Sequence, residues 1–300
     1  MVITLDIYSG RPNPSWTLSD KNAQQLLERV ANRSLTAADD VQGDLGFRGL
    51  VVSPTHDDGL PDNVAGSFRL GSLLPADFVQ PESRLAALDA TEADSAVQWL
   101  LSTGQHVLDE ELLGVVQDTL LLRQQGTDMF PAGTLEEQEL GDQQDQQGLV
   151  SAAGCLIQNT AYNPGFWNAP AVQPYNNCYN YAMNNKTNTF AQPGRISGHP
   201  AGALTCAAVG TAANWDGCLA TCANSNKQVA LVIWPGRDYH WYRRNSEGFW
   251  SHKPGQTAVR NVDSAGRLIN GTTLTPQNCN RGPYTLFCGY RFSPTGMKVK

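Results

Sequence analysis

The first half of the chain alternates between short segments with the period of a strand and longer segments with the period of a helix. Residues 2–8 place Ile3, Leu5 and Ile7 on one side of a predicted strand. Further strands are predicted over 47–53 and 67–70, and helices over 19–32, 91–104 and 108–125. The last helix is expected to turn five residues inward: Leu112, Leu113, Val116, Leu120 and Leu121. Residues 1–125 are therefore predicted to form a small α/β domain.

The second half carries strand patterns and few helical ones. Residues 227–234 end in a continuous apolar run from Val229 to Trp234, which predicts a central strand. Residues 238–252 predict a hairpin, because alternating residues lead into the turn sequence Asn245-Ser246-Glu247-Gly248 and Gly248 can take a positive φ. Residues 285–292 predict a closing strand, and a short helix is expected near Cys178. Residues 151–300 are therefore predicted to be an α+β domain with an antiparallel sheet.

The segment between these two domains differs from both. Residues 126–150 are acidic, rich in glutamine and short of apolar side chains. Such a composition buries too little apolar surface to offset the entropy lost on ordering. We therefore predict a linker over 126–150, either a passive spacer or a processing site or hinge.

Charge and hydropathy exclude two classes of partner. The net charge is −7, and no cluster of basic residues exceeds Arg243-Arg244, so nucleic acid is not expected as a partner. No apolar run approaches the roughly 18 residues that a membrane helix needs, so no membrane span is expected. The N-terminus lacks the basic start and apolar block of a secretory signal.

The cysteines divide the chain into two parts. All seven lie between Cys155 and Cys288. Six of them can form three disulfides in any of 15 pairings, which leaves one odd thiol. Disulfides indicate an oxidising compartment, here extracellular or periplasmic, although the N-terminus leaves a cytoplasmic location open.

The candidate chemistry rests on three residues of the second half. Cys178 follows Asn176-Asn177, which can cap a helix, so its thiolate would lie in the first helical turn, where the dipole favours negative charge. His240 in the hairpin is the candidate base, and His252, twelve positions on, is the candidate group that orients it. The even spacing gives both histidines the same face of the hairpin. Asn261 and Asp263 are the alternative orienting residues.

This constellation resembles a known superfamily. A Cys at a helix start, a His on a strand and a second His twelve positions later are similar to NlpC-type cell-wall endopeptidases. The segment Asn177-Cys178-Tyr179-Asn180-Tyr181-Ala182 is also similar to one in CHAP amidases, and both groups are papain-like. The resemblance covers roughly residues 170–255. It departs from the family in two places: the usual Asp or small residue around the nucleophile is missing, and Trp241 stands where the family has small residues after the His. Residues 190–195 and 250–255 also resemble phrases of a widespread, poorly characterised group of bacterial and eukaryotic proteins.

The papain-like resemblance implies a cysteine hydrolase, a peptidase or amidase, that cleaves peptide amides through a thioester. Peptide or peptidoglycan would be the substrate. The Cys178 backbone N–H and one donor from Gln173, Tyr175 or Asn176 would bind the oxyanion. No metal and no cofactor is expected, because Cys218 and Cys222 lack partners at zinc-binding spacing.

Other interpretations of the same residues stay open. Cys178 can be a buried small hydrophobe or half of a disulfide. Trp241 and Trp250 can line a substrate cleft or belong to the core, and His199 is expected in a loop. The chain as a whole can therefore be a catalytically inactive, disulfide-stabilised binding or matrix protein on the same scaffold, or a secreted toxin or effector.

Overall fold

The computed structural model describes residues 1–30, 36–37, 44–55, 66–71, 90–124, 155–222 and 224–300. The chain divides into two compact units. The first consists of Met1–Tyr8 and Pro12–Met129, and the second of Ser9–Arg11 and Phe130–Lys300. The predicted linker over 126–150 lies outside the described residues. Both units combine helices with a mostly antiparallel sheet, so the protein is of the α+β class.

The sheet of the first unit has the strand order β2-β1-β4-β5-β3. Its strands are β1 (Val2–Asp6), β2 (Ser15–Thr17), β3 (Thr36–Ala37), β4 (Gly49–Ser53) and β5 (Phe68–Leu70). Alternation along β1 buries Ile3 and Leu5 completely, as the sequence predicts. Every described pair is antiparallel, so this unit is α+β and the predicted α/β description is wrong in strand direction.

Three helices accompany this sheet: α1 (Asp20–Val30), α2 (Ala90–Thr103) and α3 (Glu110–Gln124). The Ser19 hydroxyl accepts a hydrogen bond from the Asn22 N–H at the start of α1. In α3 the stripe at i, i+4 and i+8 buries Leu112, Val116 and Leu120. Leu121 was expected to face inward as well, but it is 53% exposed because it lies one position beyond this stripe.

A buried ion cluster joins strands of the first sheet, because Asp6 ends β1 and Arg69 lies in β5. The Asp6 carboxylate contacts the Arg48 guanidinium at 2.6 Å and the Arg69 guanidinium at 2.7 Å. Burial alone would raise the pKa of Asp6, but the charges and hydrogen bonds of both arginines outweigh it and hold the pKa far below its ordinary value. The carboxylate is therefore ionised at neutral pH.

The second sheet has the order β10-β7-β8-β9, and β6 pairs with β7 in parallel. Its strands are β6 (Cys155–Ile157), β7 (Asn224–Trp234), β8 (Asp238–Arg244), β9 (Trp250–His252) and β10 (Leu286–Pro294). The predicted central strand, hairpin and closing strand are thus confirmed as β7, β8–β9 and β10. Gly248, at φ 95°, closes the hairpin turn.

The helices of the second unit are short: α4 (Pro164–Trp167), α5 (Cys178–Ala182) and α6 (Cys206–Trp215), with a 3-10 helix over Gln173–Tyr175. Helices α5 and α6 supply residues to one core cluster with the sheet face that carries Leu231 of β7 and Tyr239 and Trp241 of β8. The core of this unit therefore lies between these helices and one face of the sheet.

A tripeptide from the first residues of the chain completes the second unit. The Asp238 carboxylate accepts backbone hydrogen bonds from Ser9 at 2.6 Å, Gly10 at 3.1 Å and Arg11 at 3.1 Å. It also accepts one from the Tyr284 hydroxyl at 2.6 Å. Burial raises the pKa of Asp238, and the hydrogen bonds oppose this rise. These donors take the place of water around a buried acid.

Candidate functional site

The hairpin brings the two predicted histidines together. Strand register pairs His252 with Tyr242, which places His252 diagonally across from His240 on the same face. The His240 Nε2 and His252 Nδ1 atoms lie 2.9 Å apart, and both side chains are buried. The even spacing in the sequence therefore identifies a real contact.

A main-chain carbonyl fixes the protonation pattern of this pair. His252 Nε2 lies 2.9 Å from the carbonyl oxygen of Val262, to which it must donate. His252 Nδ1 is then an acceptor, so His240 Nε2 carries the shared hydrogen. Burial lowers the pKa of His252 to about 3, and the charge of Arg260 also lowers it. The His252 ring is therefore neutral at physiological pH.

His252 contacts His240 as predicted, and the Val262 carbonyl orients His252 in turn. The alternative orienting residues, Asn261 and Asp263, form other contacts. Asp263 is buried, but its carboxylate pairs with Arg267 at 2.7 Å and accepts the N–H groups of its own turn and of Asn280. Asn261 accepts the Ile269 N–H through its backbone carbonyl. A carbonyl orienting a histidine leaves no side-chain signal in a sequence, so pattern reasoning misses it.

The predicted cap and helix around Cys178 are confirmed. The Asn177 side chain accepts from the N–H groups of Tyr179 and Asn180, and the Asn180 side chain accepts from the Asn177 N–H in return. Cys178 is the first residue of α5, as predicted. The helix ends at Ala182 and is one turn long, so its dipole is small.

The surroundings of Cys178 do not favour a thiolate. Its side chain is fully buried, and its sulfur lies 3.9 Å from the carbonyl oxygen of Tyr239, to which the thiol donates. Burial raises the pKa of this thiol well above its ordinary value, and the nearby Asp238 charge raises it further. A group in this state is a weak nucleophile.

Cys178 of α5 packs against one face of β8, and His240 projects from the other face. Cys178 belongs to the core cluster that contains Tyr239 and Trp241. Side chains alternate along a strand, so His240 points to the other face, where its ring contacts those of Tyr242 and His252. The structure therefore joins the two histidines and does not join either of them to Cys178.

The candidate oxyanion donors have other roles. The Asn176 amide is fully buried and donates to the Val172 carbonyl and to Asn188, while its oxygen accepts two backbone N–H groups. The Gln173 carbonyl accepts from the buried ammonium of Lys253 at 2.7 Å. The Tyr175 side chain is 54% exposed. Asn176 and Gln173 thus hold the loop before α5 in place.

Cysteine pairing follows neither a three-disulfide nor a metal-binding pattern. Two disulfides form, Cys155–Cys222 and Cys206–Cys288, and they leave Cys178, Cys218 and Cys279 as buried free thiols. Two such bridges indicate an oxidising compartment. Among the residues that the structure describes, no group of three or more His, Cys, Asp or Glu is placed to hold a metal ion.

A cleft that the sequence does not predict lies along α6. Its volume is about 560 Å³, and it is largely open to solvent. Ten residues line it: His199, Pro200, Ala201, Gly202, Thr205, Ala207, Ala208, Thr211, Ala212 and Trp215. The predicted cleft residues Trp241 and Trp250 are instead at most 2% exposed, so the core interpretation of both is the correct one.

No described helix is both long enough and apolar enough to cross a membrane. No protein-family model matches the chain, and no solved structure matches it. The likeness to papain-like enzymes therefore stays a prediction.

One curated relative does match. It is insoluble matrix shell protein 1 of Ruditapes philippinarum, 44% identical over 137 residues. The match covers 45% of this chain and 90% of the relative. Identity at this level over nearly the whole of the relative reflects common descent, and we conclude that this chain belongs to the family of insoluble matrix shell protein 1.

Proposed function

We propose that this protein is a non-catalytic, disulfide-stabilised component of an extracellular matrix. The observation that carries the proposal is the 44% identity to a protein named for an insoluble shell matrix. The two disulfides support a location outside the reducing cytoplasm.

The environment of Cys178 supports the non-catalytic part of the proposal. A nucleophilic cysteine needs a lowered pKa and access to its substrate. Cys178 has a raised pKa, is fully buried, and points away from the face that carries His240. The peptidase or amidase interpretation stays a prediction, and no described contact favours it. The effector interpretation depends on the acidic linker, which lies outside the described residues.

The histidine pair has a structural role in this proposal. The two imidazoles hydrogen-bond to each other and to the Val262 carbonyl, and they thereby fasten β8, β9 and the strand-like segment around Val262. Such a buried network rigidifies a sheet without needing charge. The ordered, cross-linked domain that results suits a matrix that must persist.

Two experiments test the proposal. An antibody raised against the chain should find it in the insoluble extracellular fraction of the source organism, and recovery from the cytosol alone would overturn the matrix assignment. Purified protein should release no product from peptide amides or peptidoglycan. Turnover that is lost in Cys178→Ala and kept in Cys279→Ala would overturn the non-catalytic part.

Thiol labelling gives an independent readout. Cys178, Cys218 and Cys279 are all buried, so iodoacetamide should modify none of them in the native protein and all three in denaturant. Selective labelling of native Cys178 would show an accessible, activated thiol and would restore the hydrolase interpretation. Cys218 and Cys279 serve as matched buried controls.

A further inference from the structure

The cleft along α6 is bordered by an exposed aromatic surface. The Trp215 side chain is 59% exposed, although burying an indole is strongly favourable. The His199 ring stacks on it with centroids 4.0 Å apart and an angle of 11° between the planes. We call Trp215 and His199 the aromatic platform. A large flat side chain kept at the surface in a cleft is typical of a binding site.

The platform is held in place by Asp216, the residue that follows α6. The Asp216 carboxylate accepts hydrogen bonds from the Gly194 N–H and the Ser197 hydroxyl, each at 2.7 Å. It also accepts one from the Tyr179 hydroxyl at 2.9 Å, which anchors it to the core. The turn that carries His199 is thus fixed to the residue next to Trp215, so the platform is formed before any ligand arrives.

The orientation of the His199 ring is also set. His199 Nδ1 lies 2.8 Å from the Ser197 carbonyl oxygen, to which it donates. In the neutral ring Nε2 is then an acceptor, on the ring edge opposite to that hydrogen bond. His199 covers one face of the Trp215 indole, so the platform offers the other indole face for stacking and, at His199, a fixed acceptor for a hydroxyl group.

Gly194 shows that this turn tolerates no side chain. Its φ is +78°, and a Cβ atom built there would lie 1.9 Å from the His199 carbonyl oxygen. The His199 N–H donates to the Gly194 carbonyl at 2.8 Å, so the close approach belongs to the turn itself. Only glycine allows His199 to return over Trp215.

The chemistry of the lining defines the ligand. The described lining residues carry no carboxylate, ammonium or guanidinium group, and apart from His199 and Trp215 they are Ala, Gly, Pro and Thr. Such a cleft gives a charged ligand no counter-charge, while the protein itself carries a net charge of −7. A neutral ligand with a flat apolar face and hydroxyl groups on its edge fits these properties, and a pyranose ring has both.

We propose that this cleft binds a neutral polysaccharide: one sugar ring stacks on the indole face of Trp215 that His199 leaves uncovered, and a neighbouring sugar donates a hydroxyl group to His199 Nε2. The cleft is largely open to solvent, which leaves room for the glycan chain to extend beyond it. This inference deepens the proposed matrix function and rests on it. It gives the protein a means of attachment to an insoluble glycan scaffold.

The test uses the full-length oxidised protein with defined glycans. Chitin and cellulose serve as insoluble probes in co-sedimentation, and chitohexaose and cellohexaose as soluble probes in calorimetry. We expect wild type to bind at least one neutral glycan and Trp215→Ala to bind it at least tenfold more weakly. Tyr175→Ala is the matched control, because Tyr175 is 54% exposed in the same unit and does not line the cleft.

Further variants separate loss of the site from loss of the fold. Trp215→Phe should recover part of the affinity, and Gly194→Ala should lower it while Trp215 is still present. Far-UV circular dichroism and the urea midpoint of each variant should match those of wild type, except for Gly194→Ala. Equal affinity of wild type and Trp215→Ala would overturn the inference, as would tighter binding of an anionic polysaccharide such as alginate.

These outcomes are distinguishable from failure of the proposed function. A wild type that binds no neutral glycan, yet is found in the insoluble extracellular fraction, would overturn the cleft assignment alone. Preferential co-sedimentation with a matrix protein, at equal strength in Trp215→Ala, would do the same. A cytosolic protein with thiol-dependent turnover would overturn the matrix function first.

Discussion

The buried histidine pair makes a quantitative prediction about stability and pH. The pKa of His252 is about 3 in the folded protein, against an ordinary value of 6.5. Between these values the unfolded chain binds a proton that the folded chain does not bind. The free energy of unfolding is therefore highest above pH 6.5 and falls as the pH drops toward 3. Linkage gives a loss of about 2 kcal/mol at pH 5 and about 5 kcal/mol in full.

The perturbation is His252→Gln. Glutamine does not titrate, and its amide can accept from His240 Nε2 and donate to the Val262 carbonyl. The variant is expected to be less stable than wild type at pH 7.5, since the rigid ring is lost. Its free energy of unfolding should nevertheless fall by about 2 kcal/mol less than that of wild type between pH 7.5 and pH 5. Other titrating groups are common to both proteins and cancel in this difference.

Urea unfolding followed by tryptophan fluorescence measures the effect. Five of the seven tryptophans lie in the second unit, so the signal reports mainly on the sheet that holds the pair. His199→Gln is the matched control, because it removes an exposed histidine of the same unit that does not belong to the pair. If wild type and His252→Gln lose the same free energy of unfolding on acidification, His252 is not a buried neutral group in the folded protein.

Three further predictions concern other buried groups. Asp6→Asn should destabilise the first unit by about 3–5 kcal/mol in urea, because two buried guanidinium groups lose their counter-charge; Asp20→Asn, at an exposed helix start, is the control, and equal effects would contradict the cluster's role. Replacing Cys206 and Cys288 together by Ser opens a loop with a sequence separation of 82. In the chain-entropy model this double substitution should lower the free energy of unfolding by about 4.5 kcal/mol. The prediction would be refuted if reducing agent left the urea midpoint of the wild type unchanged. Cys178→Ala should lower stability by about 1 kcal/mol through a small cavity, and a stabilised variant would show that the thiol is strained.

Local patterns predict the parts of the site that local physics determines. The hairpin follows from alternation and the turn over Asn245–Gly248, and the even spacing places His240 and His252 on one face. The start of α5 follows from the Asn177 cap. In each case the deciding interactions join residues close together in sequence or across one turn.

Long-range packing decides what the patterns leave open. Alternation says that Tyr239 and His240 face opposite sides, but it does not say which side α5 covers. Because α5 covers the Tyr239 side, Cys178 meets the core and not His240. Helix α6 is not predicted, since its residues are small and mostly apolar and have no clear periodicity, and the exposure of Trp215 depends on how this helix packs.

The hydrogen bonds to Asp238 have a consequence for dissecting the protein. A chain begun at residue 130 keeps every strand and both bridges of the second unit but loses three of the donors around this acid. In such a fragment the Asp238 carboxylate would have to be hydrated or protonated, or the chain around it would misfold. A synthetic peptide that carries Ser9–Arg11 should bind this fragment and restore the native surroundings of Asp238.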